Sequence, residues 1–172
     1  MRIIGLAGWS GAGKTTLMVK LIPILNGRGV GVSTLKHAHH RFDVDVPGKD
    51  SWQHRQAGAQ QVMVASGARW ALMTELRDNP EPRLPELLAR MDAVDLVIVE
   101  GFKRDAHPKL EVHRAANAKP WMHPDMPGIV AVASDTPPPY DLPRAGLDQV
   151  EAIADLVLAH AREIKDIPWT EG

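Results

Sequence analysis

The opening of the chain alternates between apolar segments of strand length and of helical spacing. Residues 2–7 form an apolar run of strand length, and residues 30–36 form another. Between these runs, apolar residues recur at the spacing of one helix face: Leu17, Met18, Leu21, Ile22 and Leu25. A strand, a helix and a second strand in this order predict a right-handed crossover that leaves the two strands parallel.

Strand patterns return through the rest of the chain. The continuous apolar run at residues 95–100 is typical of a strand buried on both faces of a parallel sheet. Two more strands are predicted at residues 109–113 and 129–133. Residues 61–65 and 69–74 flank a Ser-Gly pair, which is typical of a hairpin.

Three further helices are predicted, at residues 50–57, at 84–91 and from 148 onward. The first and the last begin with a capping-box pattern: Asp50 with Gln53, and Asp148 with Glu151. The alternation of strands and helices predicts an α/β fold with a mainly parallel sheet and helices on both faces. We expect one domain over residues 1–172.

Composition excludes several classes of protein. The chain has 172 residues, no cysteine and a net charge of −1. Neither a disulfide framework nor a thiolate zinc site can form without cysteine, and no global basic field draws the protein to nucleic acid or to an anionic membrane. No apolar run approaches the roughly 20 residues of a membrane span. We therefore expect a cytoplasmic protein with no nucleic acid and no membrane partner.

A glycine-rich turn joins the first strand to the first helix, where residues 8–15 are Gly-Trp-Ser-Gly-Ala-Gly-Lys-Thr. Glycine permits backbone conformations and close approaches that a Cβ would block, so the loop amides can converge on phosphate oxygens. Lys14 would add charge at the terminal phosphates, and the Thr15 hydroxyl would bind Mg²⁺. The pattern predicts a P-loop NTPase-like site for a purine nucleoside triphosphate. Its candidate residues are Gly8, Gly11, Ala12, Gly13, Lys14 and Thr15.

An acidic residue, Glu100, ends the buried strand at residues 95–100. Ligands of open α/β sheets bind beyond the carboxyl ends of the strands, so Glu100 is predicted to point toward the phosphates. A carboxylate there can hold Mg²⁺ through water or polarise an attacking water. The alternative is a solvated strand end. Asp95, at the other end of the strand, is expected to be structural.

The loop at residues 36–50 is polar and has no periodicity. Its histidines, His37, His39 and His40, could donate hydrogen bonds to phosphate or substrate, or could bind a transition metal. Asp45 is a candidate magnesium-binding group, and a solvated acidic turn is its alternative. Because the loop follows the second strand, it is expected at the same edge of the sheet as the phosphate loop.

Asp135 follows the strand predicted at residues 129–133. A carboxylate in this place can accept hydrogen bonds from the ring N–H and the exocyclic amine of guanine, a donor pair that adenine lacks. Such a contact would select GTP, although the Asn-Lys-x-Asp guanine signature is absent. A helix cap or a turn residue is the alternative for Asp135.

Four segments together resemble the MobB family, the molybdopterin-guanine dinucleotide biosynthesis adapter proteins. They are the glycine-rich residues 8–16, the His-rich residues 35–45, the Pro-Gly-Lys-Asp-Ser segment at 47–59, and Val-Glu-Gly-Phe-Lys at 99–103. The resemblance covers most of residues 1–135. Gln53 stands where arginine is expected in relatives, and the helix after Asp148 carries no motif that can be transferred.

The resemblance implies a cytoplasmic GTP-binding homodimer with weak GTPase activity. It would assist the molybdenum cofactor guanylyltransferase that attaches GMP to molybdopterin, and molybdopterin itself is a further candidate ligand. On this reading Gly11, Gly13, Lys14, Thr15 and Thr16 hold phosphate, while Glu100 serves the metal or the water.

Two alternatives stay open at this point. One is a nucleoside or small-metabolite kinase, which usually needs an arginine-bearing lid, for which Arg77 and Arg83 are the candidates. The other is a binding module in which the nucleotide is structural.

Overall fold

The computed structural model describes residues 1–38 and 42–169, which form two compact units. The first unit contains residues 1–37 and the chain from residue 88 onward, and the second contains residues 38–87. The expectation of one domain over residues 1–172 stays a prediction. The elements in chain order are β1 (Arg2–Ala7), α1 (Lys14–Gly27), β2 (Val32–Lys36), α2 (Asp50–Gln56), β3 (Gln61–Ala65), β4 (Trp70–Thr74), α3 (Leu84–Leu88), β5 (Leu96–Glu100), β6 (Lys109–His113), β7 (Ile129–Ser134), β8 (Arg144–Ala145), α4 (Val150–His160) and β9 (Arg162–Glu163).

The sheet of the first unit has the strand order β2-β5-β1-β6-β7-β8, and all neighbours along this path are parallel. The short strand β9 pairs antiparallel with the start of β1. The predicted mainly parallel α/β sheet is therefore confirmed. Parallel strands bring their carboxyl ends to one edge, so the segments that follow β1, β2, β5 and β6 lie together there.

Helices α1 and α4 cover one face of this sheet. Alternate residues of the central strands join side chains of both helices in one buried cluster, as strand geometry requires. Leu21 and Leu25 of α1, and Ile153 and Val157 of α4, are fully buried in it. Each such side chain contributes roughly 1.5–3 kcal/mol relative to exposure, so this cluster anchors the helix that carries the phosphate loop.

The opposite face of β6 is buried although it is polar. Lys109 and Glu111 are each 1% exposed. Nζ of Lys109 donates to the carbonyl oxygens of Asp105, His107 and Pro127 at 2.5, 3.0 and 3.1 Å. The carboxylate of Glu111 accepts from the backbone N–H groups of Met122 and His123 at 2.7 and 3.1 Å. A buried ion needs partners, and these bonds hold the segments before and after β6 against the sheet.

The second unit contains α2 and an antiparallel β3-β4 hairpin, as predicted. Its charged centre is Arg55 on α2, which bonds Asp43, Asp45 and Glu75 at 2.7, 3.2 and 2.8 Å. The guanidinium side chain is 11% exposed. Hydrogen bonding from Arg55 is the main cause that lowers the pKa of Asp43, and the same bonds raise the pKa of Arg55.

Both predicted capping boxes are wrong, although both helices form. Helix α2 begins after Lys49 and α4 after Gln149, and neither helix has a side-chain cap. Gln53 instead donates from Nε2 to the carbonyl of Gly48 at 3.1 Å, and Gln149 accepts from the N–H of Gly146 at 2.8 Å. Within residues 1–38 and 42–169, no helix is long and apolar enough to cross a membrane.

Candidate phosphate-binding site

The glycine-rich loop between β1 and α1 adopts the backbone that its glycines allow. Gly13 has φ 96° and caps the start of α1, a conformation that favours glycine over residues with a Cβ. Gly8 lies against the backbone of β6, where an added Cβ would stand 2.5 Å from the carbonyl oxygen of Val112. The loop thus packs closely against the adjacent strand, β6. It leads into the first turn of α1, where the first backbone N–H groups have no partner within the helix.

Lys14 is the first residue of α1 and folds over the loop. Its Nζ donates to the carbonyl oxygens of Gly8 and Trp9 at 2.9 and 3.2 Å, and lies 3.9 Å from Oε1 of Glu100. Burial lowers the pKa of Lys14, the nearby Glu100 opposes this, and Lys103 and Lys36 lower the pKa further.

The end of β5 brings Glu100 to the loop, as the sequence predicts. Glu100 pairs in register with Leu6 of β1 and Lys36 of β2. The next residue, Gly101, has φ 102° and lies against His37, so that a Cβ there would overlap the histidine side chain. The backbone N–H of His37 donates to the carbonyl of Glu100 at 2.8 Å. These contacts fix the direction of the strand end.

Two threonines follow Lys14 on the first turn of α1. Thr15 and Thr16 are both exposed, so their hydroxyls are accessible beside the helix N-terminus. The buried Ala12 completes the loop, with its N–H donating to the carbonyl of Trp9 at 3.1 Å. The predicted phosphate-loop residues therefore lie in one segment, next to Glu100.

Asp135 lies at the same edge of the sheet, directly after β7. Its Oδ1 accepts a hydrogen bond from the backbone N–H of Ala115 at 2.8 Å, and the residue is exposed. Asp135 therefore holds the turn that follows β6. A guanine contact by this carboxylate stays a prediction.

Asp45 belongs to the second unit, and its carboxylate has protein partners. Oδ1 accepts from the hydroxyl of Ser51 at 2.8 Å, and Oδ2 from Nε of Arg55 at 3.2 Å. Its assignment to Mg²⁺ stays a prediction. No group of three or more His, Asp or Glu side chains in the described part of the chain could hold a metal ion. The role predicted for the His-rich loop depends in part on His39 and His40, which lie outside the described residues, and it stays a prediction.

Sequence reasoning missed four groups at this edge of the sheet: Lys36, Lys103, Arg114 and Asn117. Lys36 and Arg114 stand at the end of β2 and directly after β6. The signal that could have found them is their position at the ends of predicted parallel strands. What the sequence does not give is the strand order, which makes β6 the neighbour of β1.

The fold and this site together define a P-loop protein: the central strand of a parallel sheet leads through a glycine-rich loop into a helix, beside a carboxylate on the next strand. The model of the MobB family, described as molybdopterin guanine dinucleotide synthesis protein B, matches residues 3–135. The chain belongs to this family.

Curated relatives and a solved structure agree with this assignment. The molybdopterin-guanine dinucleotide biosynthesis adapter protein of Escherichia coli (strain K12) is 46% identical over 159 residues, which are 91% of each chain. The protein of the same name from Haemophilus influenzae is 42% identical and is matched over 90% of this chain and 86% of its own. A crystal structure of molybdopterin-guanine biosynthesis protein B matches with a TM-score of 0.71 and 27% identity, over 91% of this chain and 98% of that one.

The family predicted from the sequence is thereby confirmed, and the kinase alternative has no support. The two arginines considered for a kinase lid are engaged locally in the structure. Arg77 donates to the carbonyl of Ala59 at 3.0 Å, and Arg83 pairs with Glu86 at 3.1 Å.

Proposed function

We propose that this chain is a cytoplasmic GTP-binding adapter that assists the guanylyltransferase attaching GMP to molybdopterin, and that it hydrolyses GTP slowly. The observation that carries the nucleotide part is the position of Lys14, which lies on the glycine-rich loop 3.9 Å from Glu100. The adapter part is supported by the two curated relatives that carry this name and match about nine-tenths of the chain.

The phosphate loop supplies the groups that a triphosphate needs. Backbone N–H groups at the start of α1 face outward from the helix end, and an anion there is favoured by the helix dipole. The ammonium of Lys14 has three N–H donors. Two of them are bonded to loop carbonyls, so the third can reach a phosphate oxygen.

Magnesium fits the oxygen groups beside the loop. The exposed hydroxyl of Thr15 and the carboxylate of Glu100 would hold the ion, the latter through water. Bound Mg²⁺ would neutralise charge on the terminal phosphates. Such an ion keeps several waters and needs no cluster of three acidic side chains. Glu100 would also orient the attacking water, and Asp135 would select guanine.

The second unit offers a surface for the proposed homodimer. Met63 pairs across the hairpin with Leu72, and Ala65 with Trp70, so their side chains share one face. Met63, Trp70 and Leu72 are 60%, 62% and 45% exposed. Apolar side chains grouped on one face of a hairpin favour burial against a second copy.

Calorimetry with GTP, ATP and GDP, with and without Mg²⁺, tests the nucleotide part. We expect Mg²⁺-dependent binding of GTP that Lys14→Ala abolishes, while the variant still unfolds in one cooperative thermal transition. Lys20→Ala, an exposed lysine further along α1, is the matched control. Wild-type affinity for GTP in Lys14→Ala would refute the assignment.

Reconstitution with purified guanylyltransferase and molybdopterin tests the adapter part. We expect the wild-type chain and Lys20→Ala to raise the yield of the dinucleotide product, and Lys14→Ala to fail. Equal yields with and without the wild-type chain would overturn the adapter role.

A further inference from the structure

Two side chains from the segment after β6 lie directly on the phosphate loop. A Cβ placed on Gly13 would stand 3.3 Å from Nη2 of Arg114, and one placed on Gly11 would stand 2.9 Å from Oδ1 of Asn117. Nδ2 of Asn117 also donates to the carbonyl oxygen of Ser10 at 2.9 Å. The loop glycines therefore leave room for this neighbouring segment.

Arg114 differs from the other half-buried arginines. Arg2 donates to the carbonyl of Leu158 at 3.2 Å, and Arg55 pairs with three carboxylates. Arg114 is likewise half-buried, yet over the described ranges no hydrogen bond or ion pair involves its guanidinium. A partly desolvated guanidinium with five N–H donors is costly without an anion to bind.

The position of Arg114 is held by bonds on either side of it. Oδ1 of Asp135 accepts from the N–H of Ala115 at 2.8 Å, and the N–H of Asn117 donates to the carbonyl of Arg114 at 3.0 Å, which closes a turn. Further along, Nε1 of Trp9 donates to the carbonyl of Pro120 at 2.8 Å. The turn is thus attached to the phosphate loop and to the end of β7.

The charges around the phosphate loop also favour an anionic ligand. Lys36 and Lys103 both lower the pKa of Lys14, while Glu100 is the acidic group that acts against them. Arg114 adds a further cation beside Gly13. Like charges gathered at one loop repel each other, and a polyphosphate chain would relieve that repulsion.

We propose that Arg114 binds the polyphosphate of the nucleotide, as a cation from the same protein chain as the phosphate loop. Asn117 and Asp135 position Arg114. The inference rests on the proposed function, because it assumes a nucleotide in the phosphate loop. It assigns Asp135 a role that is independent of guanine recognition. Asp135→Asn keeps a side-chain oxygen for the N–H of Ala115, whereas Asp135→Ala does not.

Calorimetric binding of GTP with Mg²⁺ at low and high salt tests the proposal in wild type, Arg114→Ala and Arg114→Lys. A hydrogen bond to a charged group corresponds to a loss of about 10- to 100-fold in affinity, and we expect that loss for Arg114→Ala. Its affinity should also depend less on salt, since one ionic contact is gone. Arg114→Lys should recover part of both effects. Arg90→Ala, an exposed arginine in the same unit, should match wild type.

Positioning is tested in the same assay with Asn117→Ala, Asp135→Ala and Asp135→Asn. The two alanine variants should reproduce part of the Arg114→Ala loss and its weaker salt dependence, and Asp135→Asn should keep the wild-type salt dependence.

If wild type binds GTP and the affinity of Arg114→Ala is within about twofold of the wild-type value, this inference is overturned and the proposed function stands. An equal loss in Arg114→Ala and Arg114→Lys, with a lowered melting temperature in both, would also overturn it by showing a structural role. Wild type that binds no nucleotide would refute the proposed function.

Discussion

Lys14 and Glu100 face each other across two adjacent parallel strands, with Nζ 3.9 Å from Oε1. Lys14 follows the loop after β1, and Glu100 is the last residue of β5, which pairs with β1 in register. A cation for phosphate and a carboxylate for metal or water therefore stand at one point of the sheet edge. This geometry makes separate predictions for binding and for hydrolysis.

Glu100→Gln should slow single-turnover GTP hydrolysis far more than it weakens GTP binding. The substitution keeps the side-chain shape and removes the charge, and lost acid–base or metal assistance typically costs about 10²- to 10⁴-fold in rate. Phosphate release after mixing enzyme in excess over GTP measures the effect.

Asp95→Asn is the matched control for this experiment, because Asp95 immediately precedes the same strand and accepts from the N–H of Gly31 at 2.8 Å. An asparagine can keep that bond. If Glu100→Gln hydrolyses GTP at the wild-type rate, Glu100 is only a strand end.

Asp135→Asn should reduce the preference for GTP over ATP. A carboxylate can accept from both guanine donors, whereas an amide must turn an N–H toward one of them. The ratio of the two affinities, measured by calorimetry, should fall in the variant and stay unchanged in Asp125→Asn, an exposed aspartate in the segment that precedes β7. Equal affinities of wild type for GTP and ATP would remove guanine selection by Asp135.

The sequence predicts those parts of the fold that depend on local pattern. The apolar run before Glu100 and the helical spacing after Lys14 are strong signals, and the corresponding elements, β5 and α1, form as predicted. Strands β8 and β9 have two residues each, which is too short for any periodicity. The capping boxes failed because the N-caps are Lys49 and Gln149, each one residue away from the expected aspartate, and because Gln53 bonds the carbonyl of Gly48 instead.

The polar face of β6 and the turn after it escape sequence analysis for a different reason. The alternation Lys109, Glu111, His113 suggests a solvated face, yet all three are buried beneath the following segment. Arg114 reaches the phosphate loop only because β6 is the neighbour of β1. Strand order depends on packing between distant parts of the chain, which no local pattern records.

Arg55→Met should destabilise the second unit. The substitution leaves the carboxylates of Asp43, Asp45 and Glu75 without their shared partner, and Asp45 is largely buried. We expect the melting temperature at neutral pH to fall by several degrees. Arg69→Ala, an exposed arginine in the same unit, should leave it unchanged.

The Arg55 effect should depend on pH in a defined direction. Arg55 lowers the pKa of Asp43, so the stabilisation is complete above the ordinary carboxyl pKa of about 4 and is lost as the pH falls through the lowered value. The difference in melting temperature between wild type and Arg55→Met should therefore shrink below about pH 4. If the difference in melting temperature is constant from neutral to acidic pH, the ion pair between Arg55 and Asp43 contributes nothing to stability.

Charged substitutions on the hairpin face should convert the proposed dimer into monomers. Met63 and Leu72 are cross-strand partners with exposed side chains, and burying a carboxylate in an apolar interface is costly. Met63→Asp with Leu72→Asp should halve the mass measured by light scattering after gel filtration. Val19→Asp is the control, because Val19 is 67% exposed but lies on α1. The double variant should still bind GTP, since Lys14 and Glu100 belong to the first unit. A double variant that keeps the dimer mass would place the contact elsewhere, and a monomeric wild type would refute the dimer itself.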